Sequence, residues 1–567
     1  MNWATAPMAN DQINPKKAIA DIKSLRQVFT IPEREDSTLI RLEKEISKNL
    51  MGFLNAHVVA GDILPADLER DFLDTKIPDN PTFVSDHADF LLRKVVAQSV
   101  HTAAPSYVGH MTSAMPYFML PLAKIMVALN QNTVKIETAK SLTPLESQVI
   151  AMIHRLVYQR DDAYYQRWTH DREHAVGVFC SGGTIANLTA LWTARNRMLA
   201  PRDRFSGIAG DGLAAALAEY GYRGLAILAS RRSHYSLRKA ADVLGLGRNN
   251  LIGIQTDQEN KINIRDLHRE LVRLRDENIG VLAIVGIAGT TETGSVDPLD
   301  EMADLAREFR CHFHVDAAWG GPTLFSDRYR SLLKGIERAD SVIIDAHKQL
   351  YIPVGAGICI FKDETALSAV EQSAAYVIRK GSRDLGKHTL EGSRSGIAML
   401  VHSGLRIVGR KGYELLIDMG IGKAGQFAKM IEASADFELM TRPELNILTY
   451  RFRPEFLKEL LAAPPETDTK LRAEINDLLT SLTADIQKEQ RARGQSFVSR
   501  TSFDMPQYGY QNCTVFRVVL ANPLTTRQIL ADILDEQRAI AMTLMETEGY
   551  GLRLNELKTG RPHGTRH

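Results

Sequence analysis

The sequence predicts an α/β protein, a mostly parallel sheet with helices on both faces, followed by a smaller α+β domain. Three observations predict it. Between Ala175 and Phe361, short apolar runs rich in Val and Ile (AVGVFC, LAILAS, LIGIQ, VLAIVGIAG, CHFHVDAA, SVIIDA, AGICIF) alternate with helical stretches, as crossover units do. After about Gly404 the order changes to long helical segments separated by isolated strands. The length of 567 residues exceeds one ordinary domain and, at about 150 residues per domain, suggests roughly two to four units.

The elements follow in chain order. From Ser37 to Val59, apolar residues recur at helical spacing among charges (Leu39, Ile40, Leu42, Ile46, Leu50, Phe53, Leu54), which predicts an amphipathic helix facing a partner surface. In the α/β region, Asp297 as N-cap and Pro298 in the first turn predict the start of a crossover helix through LDEMADLAREF. Beyond it the pattern predicts helix near 411–434, a strand at NILTYRF and a surface turn at AAPPETDTK. A polar helix near 466–493, a strand at TVFRVVLANP and a last helix through 525–538 complete it. The tail NELKTGRPHGTRH has too few apolar residues to pack.

Composition bounds the partners. Lys+Arg of 69 against Asp+Glu of 68 gives a net charge of +1, which supplies no field for nucleic acid or an anionic membrane. With 44% hydrophobic and 24% charged residues the chain has ordinary globular usage. Its four cysteines are too scattered for a disulfide framework or a metal knuckle, so buried reduced thiols are expected. The N-terminus MNWATAPMANDQINPKK resembles no secretory signal. The most apolar stretch, Met115 to Asn130, is broken by Pro121 and Lys124, short of the ~18 apolar residues a membrane span needs. A cytoplasmic protein is expected.

Four groups could carry chemistry. Ser181, Gly182, Gly183 and Thr184 lie between a strand and a helix, where glycines let backbone N–H groups approach a phosphate at a helix N-terminus; a plain strand-to-helix turn would look the same. His314-Val315-Asp316-Ala317-Ala318 ends a buried strand, at the sheet edge where ligands bind, and a carboxylate there needs a partner. His312, His314 and Asp316 share one strand face and would suit zinc, but no further ligand is indicated and no metal is expected. Asp345-Ala346-His347-Lys348 follows one crossover unit later, and a lysine held there can be partly desolvated and nucleophilic. Ser233-His234-Tyr235-Ser236 follows the strand LAILAS. One ligand uses all four: pyridoxal 5′-phosphate, with phosphate, protonated pyridine nitrogen, ring face and aldehyde each met by one group.

SGGTIAN, SRRSHYS, AGTTETG, HVDAAWGG, DAHKQ and LEGSRSG closely resemble the group II pyridoxal-dependent amino-acid decarboxylases, over about residues 100 to 410. EQSAAYVIRKGSRDLGKHTLEGSRSGIAMLVHSGLRIVGRKGYE and FRVVLANPLTTRQILADILDEQ are most similar to that family's aspartate-decarboxylating branch. The resemblance implies the type I aminotransferase-like fold, with residues 1–100 as an N-terminal helical dimerisation segment, 101–405 as the large pyridoxal-phosphate-binding domain and 406–567 as the small C-terminal domain with a flexible tail. It implies Lys348 as the lysine bonded to the cofactor aldehyde, Asp316 as the pyridine-nitrogen partner and His234 as the stacking imidazole. Ser181, Gly182, Gly183, Thr184, Thr291, Ala318 and His347 are the implied further cofactor contacts. Arg394 in GSRSG is implied to grip a substrate carboxylate, with His110 and Thr112 on the substrate side. Relatives carry a proton-donating tyrosine in the loop between lysine and arginine motifs. Here Arg383 stands near that place and Tyr376 lies several residues earlier, so Tyr376 and His234 are the candidate donors.

The expected reaction is α-decarboxylation of an acidic amino acid, foremost aspartate to β-alanine for pantothenate supply, by a homodimer with sites at the interface. Glutamate decarboxylation and a pyridoxal-phosphate carbon–carbon lyase are the alternatives within the cofactor class. A non-catalytic cofactor-binding protein and a zinc hydrolase are alternatives outside it.

Overall fold

The computed structural model describes residues 38–54, 59, 60, 63, 65–112, 114–373, 382–462, 469–505 and 510–559. Contacts divide the chain into two units, Met1–Ala104 with Ala492–Ser496, and Pro105–Arg491 with Phe497–His567. In the first unit, α1 (Thr38–Leu54) forms where the amphipathic spacing predicts it, and residues 55–58 lie outside the described residues. Val59 links two parts of this unit, donating its N–H to Gly494 O at 2.8 Å and accepting from His101 N at 2.7 Å. Phe72, Leu73, Ile77 and Phe83 of the same unit are exposed.

In the second unit all seven apolar runs are strands of one sheet. The chain runs through α2 (Leu142–Tyr158), β1 (Gly177–Cys180), α3 (Gly183–Met198), β2 (Gly224–Ser230), α4 (Ser236–Val243), β3 (Leu251–Ile254), β4 (Ile279–Ile287), α5 (Leu299–Glu308), β5 (His312–Asp316), β6 (Ser341–Asp345) and β7 (Gly357–Phe361). The strand order is β1-β7-β6-β5-β4-β2-β3, parallel throughout except for β7, which is antiparallel to both neighbours. Helices cover both faces because the strands are apolar on both. Ala186 and Ala190 of α3 pack with Val178, Ile343 and Cys359, while Ile150 and Ile153 of α2 and Met302 of α5 pack on the side of Phe179 and Phe313.

The chain continues through α6 (Ala398–Glu432), β8 (Phe437–Thr441), β9 (Ile447–Phe452), α7 (Thr469–Arg493), β10 (Ser499–Met505), β11 (Tyr510–Val519), α8 (Arg527–Met545) and α9 (Glu548–Thr559). α6 is interrupted at Gly409, whose φ of 68° suits glycine, so the helix expected near 411–434 is its second half. The antiparallel sheet β10-β11-β9-β8 adds two strands that the sequence did not announce. Both are edges, where one row of backbone groups is unpaired and polar side chains such as those of SRTSFDM are favoured over an apolar run.

Two local expectations are corrected. Pro298, not Asp297, precedes the first turn of α5. The Asp297 carboxylate instead turns inward and accepts from Ile262 N at 2.8 Å and Ile287 N at 2.9 Å, tying the end of β4 to the segment that follows β3, and burial pushes its carboxyl up to about 7. The tail begins as the end of α9, whose Leu554 is buried with Leu457, Leu461 and Ile475; residues 560–567 lie outside the described residues. Tyr550 and, within the tail, Leu557 pack against the same cluster. Among the described residues no helix is long and apolar enough to cross a membrane.

Candidate active site

Strands β1 and β6 flank antiparallel β7, and Gly357 pairs with both Cys180 and Asp345. The turns that follow β1 and β6 therefore leave the sheet edge side by side. A Cβ on Gly357 would lie 2.7 Å from the Gly182 carbonyl carbon, and one on Gly183 would lie 2.7 Å from Asp345 Oδ2, so neither position has room for a side chain. Gly183 opens α3, Thr184 follows in its first turn, and Ser181 N donates to Glu391 Oε2 at 2.9 Å. Free backbone N–H groups at such a helix start attract anionic groups.

The Asp345 carboxylate, 2% exposed as a residue, sits beside that helix start and 3.0 Å from Lys348 Nζ. His347 points its Nδ1–H at Ala356 O, 3.1 Å away, which leaves Nε2 facing Asp345 at 3.8 Å. The chain leaves this turn through Tyr351, whose φ of 59° is unusual for a non-glycine residue. Its hydroxyl donates to Ala521 O at 2.8 Å and fixes it there.

Asp316 ends β5 on the face covered by α3. Its Oδ2 accepts from Asn187 Nδ2 at 2.9 Å and its Oδ1 from Ala318 N at 3.2 Å. His234, between β2 and α4, accepts Ser236 N at Nδ1 across 3.3 Å, which leaves its proton on Nε2. Burial is the main cause that lowers the affinity of this imidazole for a second proton, with Asp316 opposing and Lys348 adding. Those two influences put His234, Asp316 and Lys348 in one electrostatic neighbourhood.

On another side of the site stands an arginine that the sequence reading did not single out. Arg517, on β11, donates Nε to Thr291 O at 2.6 Å and Nη1 to Gly109 O at 3.1 Å and to Ser499 Oγ at 3.4 Å, while its buried Nη2 has no hydrogen-bond partner among the described residues. Burial lowers this guanidinium to about 10. His110 is lowered by burial, then by the charges of Arg517 and Lys348, and its Nδ1 lies 3.1 Å from Thr112 Oγ1. The signal was present, since a lone arginine inside the apolar run TVFRVVLANP must find a buried partner or face a ligand. Arg394 Nη1 lies 2.7 Å from Glu146 Oε1 of α2, with side chains 7% and 1% exposed, while its buried Nε and Nη2 have no hydrogen-bond partner among the described residues. Arg383 is exposed, and Tyr376 lies outside the described residues.

The model of the pyridoxal-dependent decarboxylase conserved domain matches residues 65–453. The chain belongs to this family. It is 56% identical over 526 residues to the aspartate 1-decarboxylase of Aliivibrio fischeri, covering 93% of this chain and 96% of that one. It is 26% identical over 458 residues to a human acidic amino acid decarboxylase, 79% of each chain. Its fold matches the crystal structure of mouse CSAD, with a TM-score of 0.75 at 24% identity over 88% of this chain and 98% of that one.

The enzyme is therefore a pyridoxal-phosphate-dependent decarboxylase with the type I fold. The residues fit that cofactor. A helix start crowded down to glycine, a strand-end amine, a buried strand-end carboxylate and a neutral imidazole are gathered at one edge of the sheet.

The Glu146 pair yields a discriminating prediction. Arg394→Ala leaves a buried carboxylate uncompensated and should lower the unfolding free energy by about 3–5 kcal/mol, measured by urea titration. Ordinary stability with a raised KM would instead assign Arg394 to substrate.

Proposed function

We propose that this enzyme removes the α-carboxyl group of L-aspartate as carbon dioxide and releases β-alanine, the amine precursor of pantothenate, in the cytoplasm. The observation that carries the aspartate reading is the 56% identity to a curated aspartate 1-decarboxylase across nearly the whole of both chains. The site adds a physical reason for an acidic substrate: Arg517 holds a buried guanidinium with Nη2 unpartnered, close enough to His110 to perturb it, and a carboxylate would satisfy it.

When bound, pyridoxal phosphate supplies the electron sink for the pair left behind as carbon dioxide departs. In this reading Ser181, Gly182, Gly183 and Thr184 hold the phosphate at the start of α3, with His347 beside them. Lys348 would hold the cofactor at its aldehyde through its amine, which lies 3.0 Å from Asp345. Asp316, aided by the Ala318 amide, keeps a proton on the pyridine nitrogen. His234 covers the ring as a neutral imidazole, a state that burial favours. Arg517 takes the substrate carboxylate, with His110 and Thr112 alongside, and Thr291 O fixes Arg517 from behind. Arg394 becomes a structural partner of Glu146. Of the two candidate proton donors, His234 is within this group.

The large domain spans 101–405 and the small one 406–567. The exposed apolar side chains of the first unit, Ile77 at 91% and Leu73 at 70% among them, favour its burial against a second copy, and the enzyme is a homodimer in this reading. Light scattering that gave a stable, active monomer would refute it.

Aspartate, glutamate, cysteine sulfinate and tyrosine offered separately should release carbon dioxide fastest from aspartate. Glutamate differs by one methylene, worth only about 1–3 kcal/mol in a pocket, so glutamate as the better substrate is the outcome that would overturn the choice. Lys348→Ala should abolish turnover and the visible absorption of the bound cofactor; retained catalysis would sink the assignment. Arg517→Lys keeps the charge but loses the fork, and should raise KM for aspartate roughly ten-fold or more with a smaller change in kcat. An unchanged KM would remove Arg517 from the substrate site.

A further inference from the structure

Asp316 is 6% exposed, and the hydrogen bonds to its two oxygens come from a neutral side-chain amide and a backbone N–H. Behind that amide runs a buried chain across three elements. Asn187 Oδ1 on α3 lies 2.9 Å from His314 Nε2 on β5; His314 Nδ1 lies 2.8 Å from Ser341 Oγ on β6; Ser341 Oγ lies 2.7 Å from His312 Nε2, back on β5. Asn187, His314 and Ser341 are each 1% exposed or less.

Donors and acceptors along this chain can be ordered in two directions. With Asp316 ionised, Asn187 must turn its NH2 toward the carboxylate, and its second hydrogen reaches Ser236 Oγ at 3.0 Å. Asn187 Oδ1 then accepts, so His314 donates from Nε2 and accepts at Nδ1. Ser341 gives its one hydrogen to His314 and accepts from His312 Nε2–H. Every donor along the chain is then matched. In the opposite order Asp316 carries a proton, Asn187 is reversed, and the chain ends with His312 presenting Nδ1–H to Asp340 Oδ2, 3.9 Å away. The order with Asp316 ionised is favoured at the carboxylate end, where Ala318 N–H donates to Oδ1 and the Asn187 amide to Oδ2, so both oxygens accept. It requires both imidazoles to stay neutral, and burial drives each down to about 3.

We propose that Asn187, His314, Ser341 and His312 form a one-way hydrogen-bond chain that holds Asp316 ionised and oriented toward the pyridine nitrogen of the cofactor, with His314 as its central positioning residue. This rests on the reading of Asp316 given above. His314 touches neither Asp316 nor the cofactor in this scheme. It acts by fixing which end of the Asn187 amide faces the carboxylate.

The test compares His314→Leu, His314→Gln, Ser341→Ala and Asp316→Asn with the parent enzyme. The readouts are the cofactor Kd from pyridoxal phosphate titration, kcat and KM, the pH dependence of the visible band of the bound cofactor, and the melting temperature of the cofactor-free protein. His314→Leu should raise the cofactor Kd and lower kcat by roughly ten-fold each, as expected for one hydrogen bond to a charged group, with KM changed less than about two-fold. The midpoint of its visible-band titration should move to lower pH. His314→Gln, whose amide N–H stands near the lost Nε2–H, should recover most of these changes. If Asp316→Asn harms the cofactor Kd, kcat and the visible-band titration while His314→Leu leaves them unchanged, the chain is refuted and the Asp316 reading stands. If Asp316→Asn is itself without effect, the reading of Asp316 fails first. Should His314→Leu melt far below the parent, Ser341→Ala decides: removal of the hydroxyl frees the His314 tautomer and should shift the band in the same direction, and an unmoved band refutes the proposal.

Discussion

The constraint on which the rest of the site depends is the burial of a carboxylate, Asp316, at the end of a central strand. Strand alternation places His312, His314 and Asp316 on the face of the sheet that α3 covers, where an unsatisfied polar group is costly. Asn187 meets this demand from α3. It lies four residues after Gly183, so both are on the same face of the same helix, one turn apart. The helix that presents its N-terminus at the sheet edge therefore also supplies the amide that anchors Asp316. One rigid element sets both ends of the candidate site.

The antiparallel strand β7 has a complementary role. Placed between β1 and β6, it spaces two parallel strands so that their carboxyl ends, and the turns after them, lie side by side. That proximity leaves no volume for side chains at Gly183 and Gly357, which meet Asp345 and the Gly182 backbone respectively. Glycine in this turn thus answers to packing as well as to phosphate binding. The two explanations are compatible, since the absence of side chains is also what lets a ligand approach the backbone.

The two arginines show how the same charge serves different ends. Arg394 and Glu146 are both buried and neutralise each other, an arrangement that is expensive to break from one side. Arg517 donates to two carbonyl oxygens and the Ser499 hydroxyl, neutral groups that orient it, with the charge of Glu292 acting on it from a distance. A guanidinium oriented in this way keeps an unmet demand for an anion, and that is the electrostatic basis for reading it as the substrate contact.

Much was legible in the sequence. The seven apolar runs fixed the large sheet, because a strand buried on both faces can be little else than continuous Val, Ile and Leu. The motifs around Gly183, His234, Asp316 and Lys348 were legible as candidates through residue type and position at strand ends, and the structure gathers them at one edge of the sheet. Edge strands β8 and β10, the inward turn of Asp297 and the docking of α9 were not legible, since each is decided by what lies opposite and not by local pattern. The partners of Arg394 and Arg517 and the contacts of the Asn187–His314–Ser341–His312 chain belong to the same class. A side chain's identity states what it can donate or accept, whereas its partner, often more than a hundred residues away as with Asn187 and Asp316, exists only once the chain has folded.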